Sequence, residues 1–310
     1  MTEFGLIEQI KTLFGTIPSN GFEGIGDDCA IFSLGNGESL VFTTDMLVED
    51  VHFLRAATSA EELGRKSLAV NLSDVAAMGA VPVATLLSVA LPREMMGPWV
   101  ADFMNGYHAL SQQQGVALVG GDTTASTAGI TISVTAIGRV KDKHLKRRCD
   151  AQVGDLLFVA GEVGESGAGL KEILAGHYDT PQAAVHRNPV PQIAEGIWLG
   201  GRSEVHAMMD ISDGIASDVR HIMEQSHVGV EVDTEQIPTV VELETALCAG
   251  EDYKLLFTAD AEDAASLCAN FSGHFGRDLY PIGRITDSQR LVWLRDGQPI
   301  QAEWQGFRHY

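Results

Sequence analysis

Hydrophobic positions in the first half of the chain follow two spacings, which predict helices and strands in alternation. Helical spacing marks three segments, at 3–14, 61–78 and 98–114. Short apolar runs, which are typical of strands, lie at 30–32, 39–44, 84–91, 116–119 and 130–138. This alternation predicts an α/β domain that ends near residue 140.

The second half begins after a segment without a hydrophobic period. Residues 141–150 include six basic residues, and we interpret them as a connector between two domains. Beyond it, the pattern predicts strands at 155–159, at 253–257 and just before Asp210, and helices at 212–225 and near 261–271. A chain of 310 residues is long enough for two cores, so we expect domains at 1–140 and 151–310. The predicted fold class is mixed α/β (α+β).

Aspartate recurs at the edge of an apolar or glycine-rich run in five segments. These segments are 24–28, 43–45, 72–74, 120–122 and 210–214. An apolar run that stops at Asp is typical of a buried strand whose end opens into a crevice, where open α/β sheets bind ligands. Carboxylates without a His or Cys cluster suit Mg²⁺, which proteins hold with a few carboxylates plus substrate phosphates. The pattern therefore predicts a metal-dependent enzyme that acts on phosphates.

The helix predicted at 61–78 carries a polar stripe on an otherwise apolar surface. Ser67, Asn71 and Asp74 are four and three residues apart, which places them on one helix face. A solvated face is the alternative, but such faces normally carry Lys and Glu, and these stop at Lys66. We therefore favour a stripe that faces a polar cavity.

Asp210, Ser212 and Asp213 precede the helix predicted at 212–225. One interpretation makes Ser212 or Asp213 the helix N-cap. The other is that this helix end binds phosphate, directly or through a cation. Asp210 follows the predicted strand and is not explained as a cap, which favours a role in ligand binding.

The formal charge of -21 changes which partners are expected. It leaves no surplus of Lys and Arg for a nucleic-acid backbone, so we expect no nucleic-acid partner. A phosphate substrate would also be repelled unless divalent cations bridge it to carboxylates. The four cysteines show no C-x-x-C spacing, which favours reduced thiols. No apolar run approaches the ~20 residues of a membrane span, and residues 1–10 lack a basic signal-peptide region. We therefore expect a cytoplasmic protein without a membrane partner.

Six strings of the sequence carry most of these polar residues: GDDCA at 26–30, TTDMLVEDVHF at 43–53, NLSDVAAMGA at 71–80, GGDT at 120–123, DISDG at 210–214 and GEDY at 250–253. In this order and at these separations, they resemble the thiamine-monophosphate kinase family over essentially the whole chain. The individual Asp motifs are shared with the superfamily of aminoimidazole ribonucleotide synthetase and selenophosphate synthetase. The strings at 43–53 and 250–253 resemble the thiamine kinase specifically.

The resemblance implies an ATP-dependent transfer of the γ-phosphate to thiamine monophosphate, which gives thiamine diphosphate in the last step of its biosynthesis. It also implies a two-domain fold like that of aminoimidazole ribonucleotide synthetase, with N-terminal sheets that pair across a homodimer. Several Mg²⁺ ions would be held by Asp27, Thr43, Thr44, Asp45, Asp74, Asp122, Asp210 and Asp213. ATP would contact Gly121, Asp122, Arg148 and Ser212, and the thiamine end would contact His52, Glu251 and Phe307.

Some assignments stay open from the sequence. Arg147 is adjacent to Arg148, Trp304 competes with Phe307, and 232–247 is shorter than is usual in the family. No general base is evident, and none is required, because a phosphate acceptor with a second pKa of about 6 is largely deprotonated at neutral pH. The alternatives are selenophosphate synthesis or amide activation on the same fold, and a non-enzymatic acidic scaffold with carboxylates scattered on exposed helices.

Overall fold

The computed structural model describes residues 3–307, with side chains from residue 5, and two β-sheets organise them. The strands of the first sheet are β1 (Phe22–Glu23), β2 (Ala30–Ser33), β3 (Glu38–Val48), β4 (Val81–Pro92), β5 (Ala117–Ser126) and β6 (Thr131–Lys141). Within the described residues their order is β1-β2-β3-β6-β4-β5. β4 and β5 run parallel, whereas the other neighbouring pairs are antiparallel.

The second sheet is formed by the C-terminal half of the chain. Its strands are β7 (Leu156–Val159), β8 (Val205–Asp210), β9 (Gly229–Asp233), β10 (Leu255–Ala259), β11 (Tyr280–Thr286), β12 (Leu291–Arg295) and β13 (Gln298–Ile300). Their order in the described chain is β13-β12-β9-β11-β7-β10-β8. Every residue of β10 is buried, as expected for a strand covered on both faces.

Helices cover both sheets. They are α1 (Glu3–Phe14), α2 (Ala60–Ala77), α3 (Pro98–Gln114), α4 (Glu165–Leu174), α5 (Pro181–Arg187), α6 (Ile193–Gly200), α7 (Ile215–Ser226), α8 (Leu243–Cys248) and α9 (Ala264–Phe275). The helices predicted at 61–78 and 98–114 are confirmed within a residue or two. Between residues 3 and 307, no helix combines the length and the apolar character that crossing a bilayer requires. The predicted mixed α/β class is confirmed.

α2 positions the site because it packs on both halves of the molecule. A capping box starts it: the Ser59 hydroxyl accepts a hydrogen bond from the Glu62 N–H at 3.2 Å, and the Glu62 carboxylate accepts one from the Ser59 N–H at 2.9 Å. Leu63, Leu68 and Leu72 are fully buried, and each such side chain contributes roughly 1.5–3 kcal/mol. The helix contacts β3, β6 and α3 in the first half and β8 and α6 in the second.

β5 is an exposed edge of the first sheet. Its residues from Ala117 to Ala125 are exposed, including Leu118 and Val119. An edge strand offers unpaired backbone N–H and C=O groups to another strand. The apolar strand predicted at 84–91 is β4, which lies beside it, between β6 and β5.

Two aspartates predicted at strand ends lie inside strands instead. β3 continues past Asp45 to Val48, and β5 continues past Asp122 to Ser126. The sheets are largely antiparallel, so their ligand-binding region is not the carboxyl edge of an open parallel sheet. Asp210 does match the prediction, as the last residue of β8.

The start of α7 also differs from the sequence-based prediction. The helix begins at Ile215 and its N-cap residue is Gly214, which lies at φ 99°. Ser212 and Asp213 therefore lie in the preceding loop, and the N-cap interpretation of these two residues is wrong. The loop leaves both residues in the wall of a large cavity.

Candidate active site

Three aspartates from distant parts of the sequence meet beside α2. Asp28 lies in the loop before β2, Asp74 lies on α2, and Asp210 ends β8. One carboxylate oxygen of each lies within 4.8 Å of those of the other two. The side chains of Asp28 and Asp210 are almost fully buried. We call these three residues the carboxylate cluster.

Hydroxyl and amide groups from β3 and α2 orient the cluster. The Thr43 hydroxyl donates to Asp74 Oδ2 at 2.5 Å, and the Ser73 hydroxyl donates to Asp210 Oδ2. Asn71 Oδ1 accepts a hydrogen bond from the Asp45 N–H at 2.9 Å. The polar stripe predicted on α2 therefore faces the site at Asn71 and Asp74. Its third member, Ser67, bonds back to its own helix instead.

Arg148 approaches the cluster from the segment between the two sheets. Its guanidinium donates to Asp28 Oδ1 at 2.5 Å, and its backbone N–H donates to Asp27 Oδ2 at 3.2 Å. Arg147 points elsewhere and pairs with Glu23 at 3.0 Å. Of the two adjacent arginines left open by the sequence, the structure brings Arg148 to the site.

Burial and mutual repulsion make these carboxyl groups weak acids. Burial, followed by the charge of Asp28, raises the pKa of Asp27 to about 7, of Asp45 to about 6 and of Asp210 to about 8. Burial also raises the pKa of Asp28 and, with the charge of Asp45, that of Asp74. Carboxyl groups that are buried this close together are stable only when protons or cations neutralise their charge.

The donor set fits a hard divalent cation. Two cluster oxygens, Asp28 Oδ2 and Asp210 Oδ1, are buried and accept no hydrogen bond from the described part of the chain. Buried oxygens normally have a partner, so two such oxygens in one cluster indicate a place where a cation could bind. The surrounding ligand atoms are carboxylate and hydroxyl oxygens, which suit Mg²⁺.

A second acidic group lies at the start of α7. Asp213, Asp218 and His221 place one ligand atom each within 4.8 Å of the others. The Asp213 N–H donates to Asp218 Oδ2 at 3.3 Å. Sequence reasoning missed Asp218 and His221, and within the segment 24–28 it assigned metal binding to Asp27 and not to Asp28. The three-residue spacing of Asp218 and His221 on a predicted helix is a signal that could have found them.

The same cavity, of about 780 Å³, is lined by the residues expected at the thiamine end. His52, Glu251 and Phe307 all lie in its wall. The Val48 N–H donates to Nδ1 of His52 at 3.0 Å, so the neutral ring carries its proton on Nε2. Lys66, which the sequence placed among the solvated residues, also lines the cavity and is 1% exposed.

The two competing C-terminal aromatics lie in different environments. Phe307 is 44% exposed in the cavity wall, and its N–H donates to the Asp213 carbonyl at 2.9 Å. Trp304 packs edge-to-face on Trp293, with 5.1 Å between the ring centroids, against the core of the second sheet. The position of Phe307 therefore suits substrate contact, whereas Trp304 contributes to the core.

Gly121 and Asp122 are not brought to the carboxylate cluster of their own chain. They line a separate groove of about 460 Å³ along β5. Asp45 and Asp122 belong to strands three steps apart in the sheet, roughly 14 Å at about 4.8 Å per strand. Asp122 lies opposite Ser88 of β4, Ser88 lies opposite Ser133 of β6, and Ser133 lies opposite Met46 of β3. Residues that lie opposite one another share a sheet face, so Asp122 is on the face of Met46. Asp45, the neighbour of Met46, is on the other face.

Thr44 also faces away from the cluster. Neighbouring residues of a strand point to opposite sheet faces. The Thr44 hydroxyl accordingly donates to the Val134 carbonyl at 3.1 Å, whereas Thr43 bonds the cluster. A role for the Thr44 side chain as a metal ligand stays a prediction.

Comparison with known proteins assigns the family. Residues 26–140 match the family model described as AIR synthase related protein, N-terminal domain, and residues 152–294 match the corresponding C-terminal domain. Thiamine-monophosphate kinase of Buchnera aphidicola subsp. Acyrthosiphon pisum is 35% identical over 326 residues, which cover 100% of this chain and 99% of that protein. The chain belongs to the thiamine-monophosphate kinase family. Thiamine-monophosphate kinase of Bacillus subtilis is 34% identical and is covered over 100% of both chains.

A solved structure of the same family shares the fold. It is described as AaThiL complexed with AMPPCP and TMP, and it superposes with a TM-score of 0.86 at 31% identity, covering 100% of this chain and 97% of that chain. The family resemblance drawn from the six sequence strings is thereby confirmed. Five of those strings contribute side chains to the cavity or its cluster, and the sixth, at 120–123, lies on β5.

Proposed function

We propose that this chain catalyses the ATP-dependent phosphorylation of thiamine monophosphate to thiamine diphosphate. The observation that carries the proposal is a buried carboxylate cluster with unpaired oxygens, beside a cavity with an aromatic and an acidic residue, in a member of this kinase family. The AaThiL complex holds AMPPCP, a non-hydrolysable ATP analogue, together with TMP. ATP and thiamine monophosphate are therefore the substrates expected here.

The cluster residues fit the charge neutralisation that phosphoryl transfer requires. These residues would hold Mg²⁺, which would supply the positive charge that phosphoryl transfer needs. The residues proposed to hold it are Asp27, Asp28, Thr43, Asp45, Asp74, Asp210 and Asp213. Arg148 and Ser212 line the same cavity, which supports their proposed contact with nucleotide phosphates. An in-line attack by the acceptor phosphate needs no general base.

His52, Glu251 and Phe307 are proposed to bind the thiamine end. Thiamine monophosphate joins an anionic phosphate to a cationic thiazolium and a flat pyrimidine that donates N–H groups. Phe307 offers an aromatic face for stacking, and Glu251 offers a carboxylate to N–H donors or positive charge. The phosphate would meet the acidic end of the cavity only with cations present.

We further propose that a homodimer completes the site. The exposed β5 edge supports pairing of the first sheets of two copies. Gly121 and Asp122 lie on that edge and away from their own cluster, so we propose that they serve the site of the partner copy. The backbone is unusually tight there, because a Cβ on Gly121 would lie 1.8 Å from the Leu87 carbonyl oxygen.

The domain division proposed is 1–140 and 151–310, joined by 141–150. The two family matches, over 26–140 and 152–294, support it. A cytoplasmic location and the lack of a nucleic-acid partner stay predictions. Selenide phosphorylation on the same fold calls for a reactive cysteine. It is disfavoured here, because Cys29 is 3% exposed and burial raises the pKa of its thiol.

The proposal is tested by incubating the purified chain with ATP, Mg²⁺ and thiamine monophosphate. Equal amounts of ADP and thiamine diphosphate are expected by chromatography. Selenide and aminoimidazole-type precursors serve as competing acceptors in parallel reactions. ADP formation with one of these, and none with thiamine monophosphate, would assign the chain to another reaction of the superfamily.

A further inference from the structure

The cavity wall contains a buried ion pair that phosphoryl transfer itself does not use. Lys66 on α2 is 1% exposed, and its Nζ donates to Glu251 Oε2 at 3.0 Å and to the His186 carbonyl at 3.4 Å. Lysine is almost never fully buried unless it is paired. The pair joins positions 185 residues apart in the sequence.

His186 approaches the same oxygen of Glu251. Its Nδ1 lies 3.3 Å from Glu251 Oε2 and 3.1 Å from the Ser166 hydroxyl. Burial, and then the charge of Lys66, lower the pKa of His186 to about 4, so the ring is neutral near pH 7. Lys66 thus holds one carboxylate oxygen with His186 close to it, while the Glu251 side chain remains 23% exposed in the cavity wall.

The backbone of this turn is fixed independently. Glu251 and Tyr253 both have positive φ, at 56° and 50°, a conformation that costs roughly 1–3 kcal/mol and persists only when neighbours enforce it. The Glu251 N–H donates to the Ser212 carbonyl at 2.7 Å. A Cβ on Gly250 would lie 2.4 Å from that same oxygen. Because the backbone is held in this way, the direction of the Glu251 carboxylate depends on its hydrogen bond from Lys66.

Lys66 also affects the charge of Glu251. Burial raises the pKa of the Glu251 carboxyl, but the opposing interactions, with the charge of Lys66 first among them, lower the pKa overall. Lys66 therefore both fixes the position of the carboxylate and favours its ionised form.

We infer that Lys66, with His186 beside it, is a positioning residue that holds the Glu251 carboxylate in place for the ring end of the substrate. The inference rests on the proposed function, because it assigns Glu251 to thiamine monophosphate. The substrate group that Glu251 would bind is a heteroaromatic ring that is cationic or donates N–H groups. The proposed role of Lys66 is to act through Glu251, because its Nζ is already bonded to that carboxylate.

The test compares Lys66→Met, Glu251→Gln and the double variant with the wild type. Lys66→Met is expected to raise the KM for thiamine monophosphate about 10- to 100-fold, because the Glu251 carboxylate loses the charged partner that holds it. The kcat and the KM for ATP should change less than about threefold, since neither phosphate site contains Lys66. Calorimetry with thiamine monophosphate and Mg²⁺, without ATP, should show the same loss of affinity.

The double variant separates positioning from a general effect on structure. If Lys66 acts only through Glu251, adding Lys66→Met to Glu251→Gln should change the KM less than about twofold. Lys66→Arg, which keeps the charge, should lie between wild type and Lys66→Met. Lys146→Met is the matched control, because this buried lysine donates to the carbonyls of Arg202 and Val205. It should lower the melting temperature and leave the KM for thiamine monophosphate unchanged.

The outcomes distinguish the two proposals. A wild type that makes no thiamine diphosphate defeats the proposed function. A working wild type whose KM is insensitive to Lys66→Met, or equally sensitive with and without Glu251, overturns the inference alone. If Lys66→Met does not fold by circular dichroism, the double variant, which leaves no unpaired charge, and Lys66→Arg decide by the same criteria.

Discussion

The carboxylate cluster and the Gly121–Asp122 segment come from similar sequence motifs but lie in opposite surroundings. The cluster is dry, surrounded by α2 and by loops of both sheets, and its carboxyl pKa values are raised. Asp122 is exposed on an edge strand, where its carboxylate accepts a hydrogen bond from the adjacent Thr123 N–H. One chain therefore encloses the first region and leaves the second region exposed. An aspartate motif indicates chemistry, but its surroundings show whether a single chain encloses the side chain.

The largest effect on turnover is expected at the carboxylate cluster and its neighbour Asp45. Asp45→Asn should lower turnover about 100-fold or more, because a carboxylate is lost from a metal site that is expected to supply several kcal/mol of charge stabilisation. Chelation of divalent cations should silence the wild type to a similar extent. The measurement is thiamine diphosphate formation at saturating Mg²⁺. Near-wild-type turnover of the folded variant would remove Asp45 from the site.

A smaller effect is expected at the edge strand. Val119→Lys adds a charge to the exposed β5 edge, where Val119 is 61% exposed, and should shift the protein from dimer to monomer with a loss of turnover. Light scattering at micromolar concentration measures the mass. Val153→Lys is the control, because Val153 is 59% exposed and lies outside β5. A monomeric Val119→Lys variant with full activity would break the comparison, since Asp122 would then act within its own chain.

The smallest effect is expected at the C-terminal aromatic. Phe307→Ala should weaken binding of thiamine monophosphate about tenfold or less and spare ATP, because a cation–π contact is worth roughly 0.5–2 kcal/mol. Trp304→Ala should instead lower the melting temperature, because its ring packs on Trp293. Calorimetry on both variants decides the assignment. Weaker substrate binding in Trp304→Ala alone would reverse the roles of the two aromatics.

Elements with strong local signals could be predicted from the sequence. α2 and α3 combine helical periodicity with clear start signals, a capping box and a proline in the first turn, and both were located within a residue or two. β3 and β5 were predicted too short, because a polar Asp within a strand resembles an end. Asp45 is tolerated inside β3 because Asn71 of α2 binds its N–H, a contact that no local pattern reveals.

The residues of the candidate site also divide into those with a local signal in the sequence and those without one. The motifs located Asp27, Asp45, Asp74 and Asp210, because each stands at a marked change from apolar to polar residues. Lys66 was missed because a lysine in a helical sequence normally indicates solvent, and its partner Glu251 lies on a distant turn. Contacts that depend on tertiary packing leave little trace in the spacing of one sequence.

The central claim is that one catalytic site combines the cluster of one copy with Asp122 of the other. Complementation between inactive variants tests this claim most directly. Asp45→Asn and Asp122→Asn chains are co-expressed with different tags, and the heterodimer is purified through both tags. Each homodimer should be inactive. The heterodimer should recover about half of the wild-type thiamine diphosphate formation, because one of its two sites then contains both native carboxylates. A heterodimer of Asp45→Asn with Asp74→Asn should stay inactive, since both residues belong to the same cluster. An inactive Asp45→Asn/Asp122→Asn heterodimer would contradict the account.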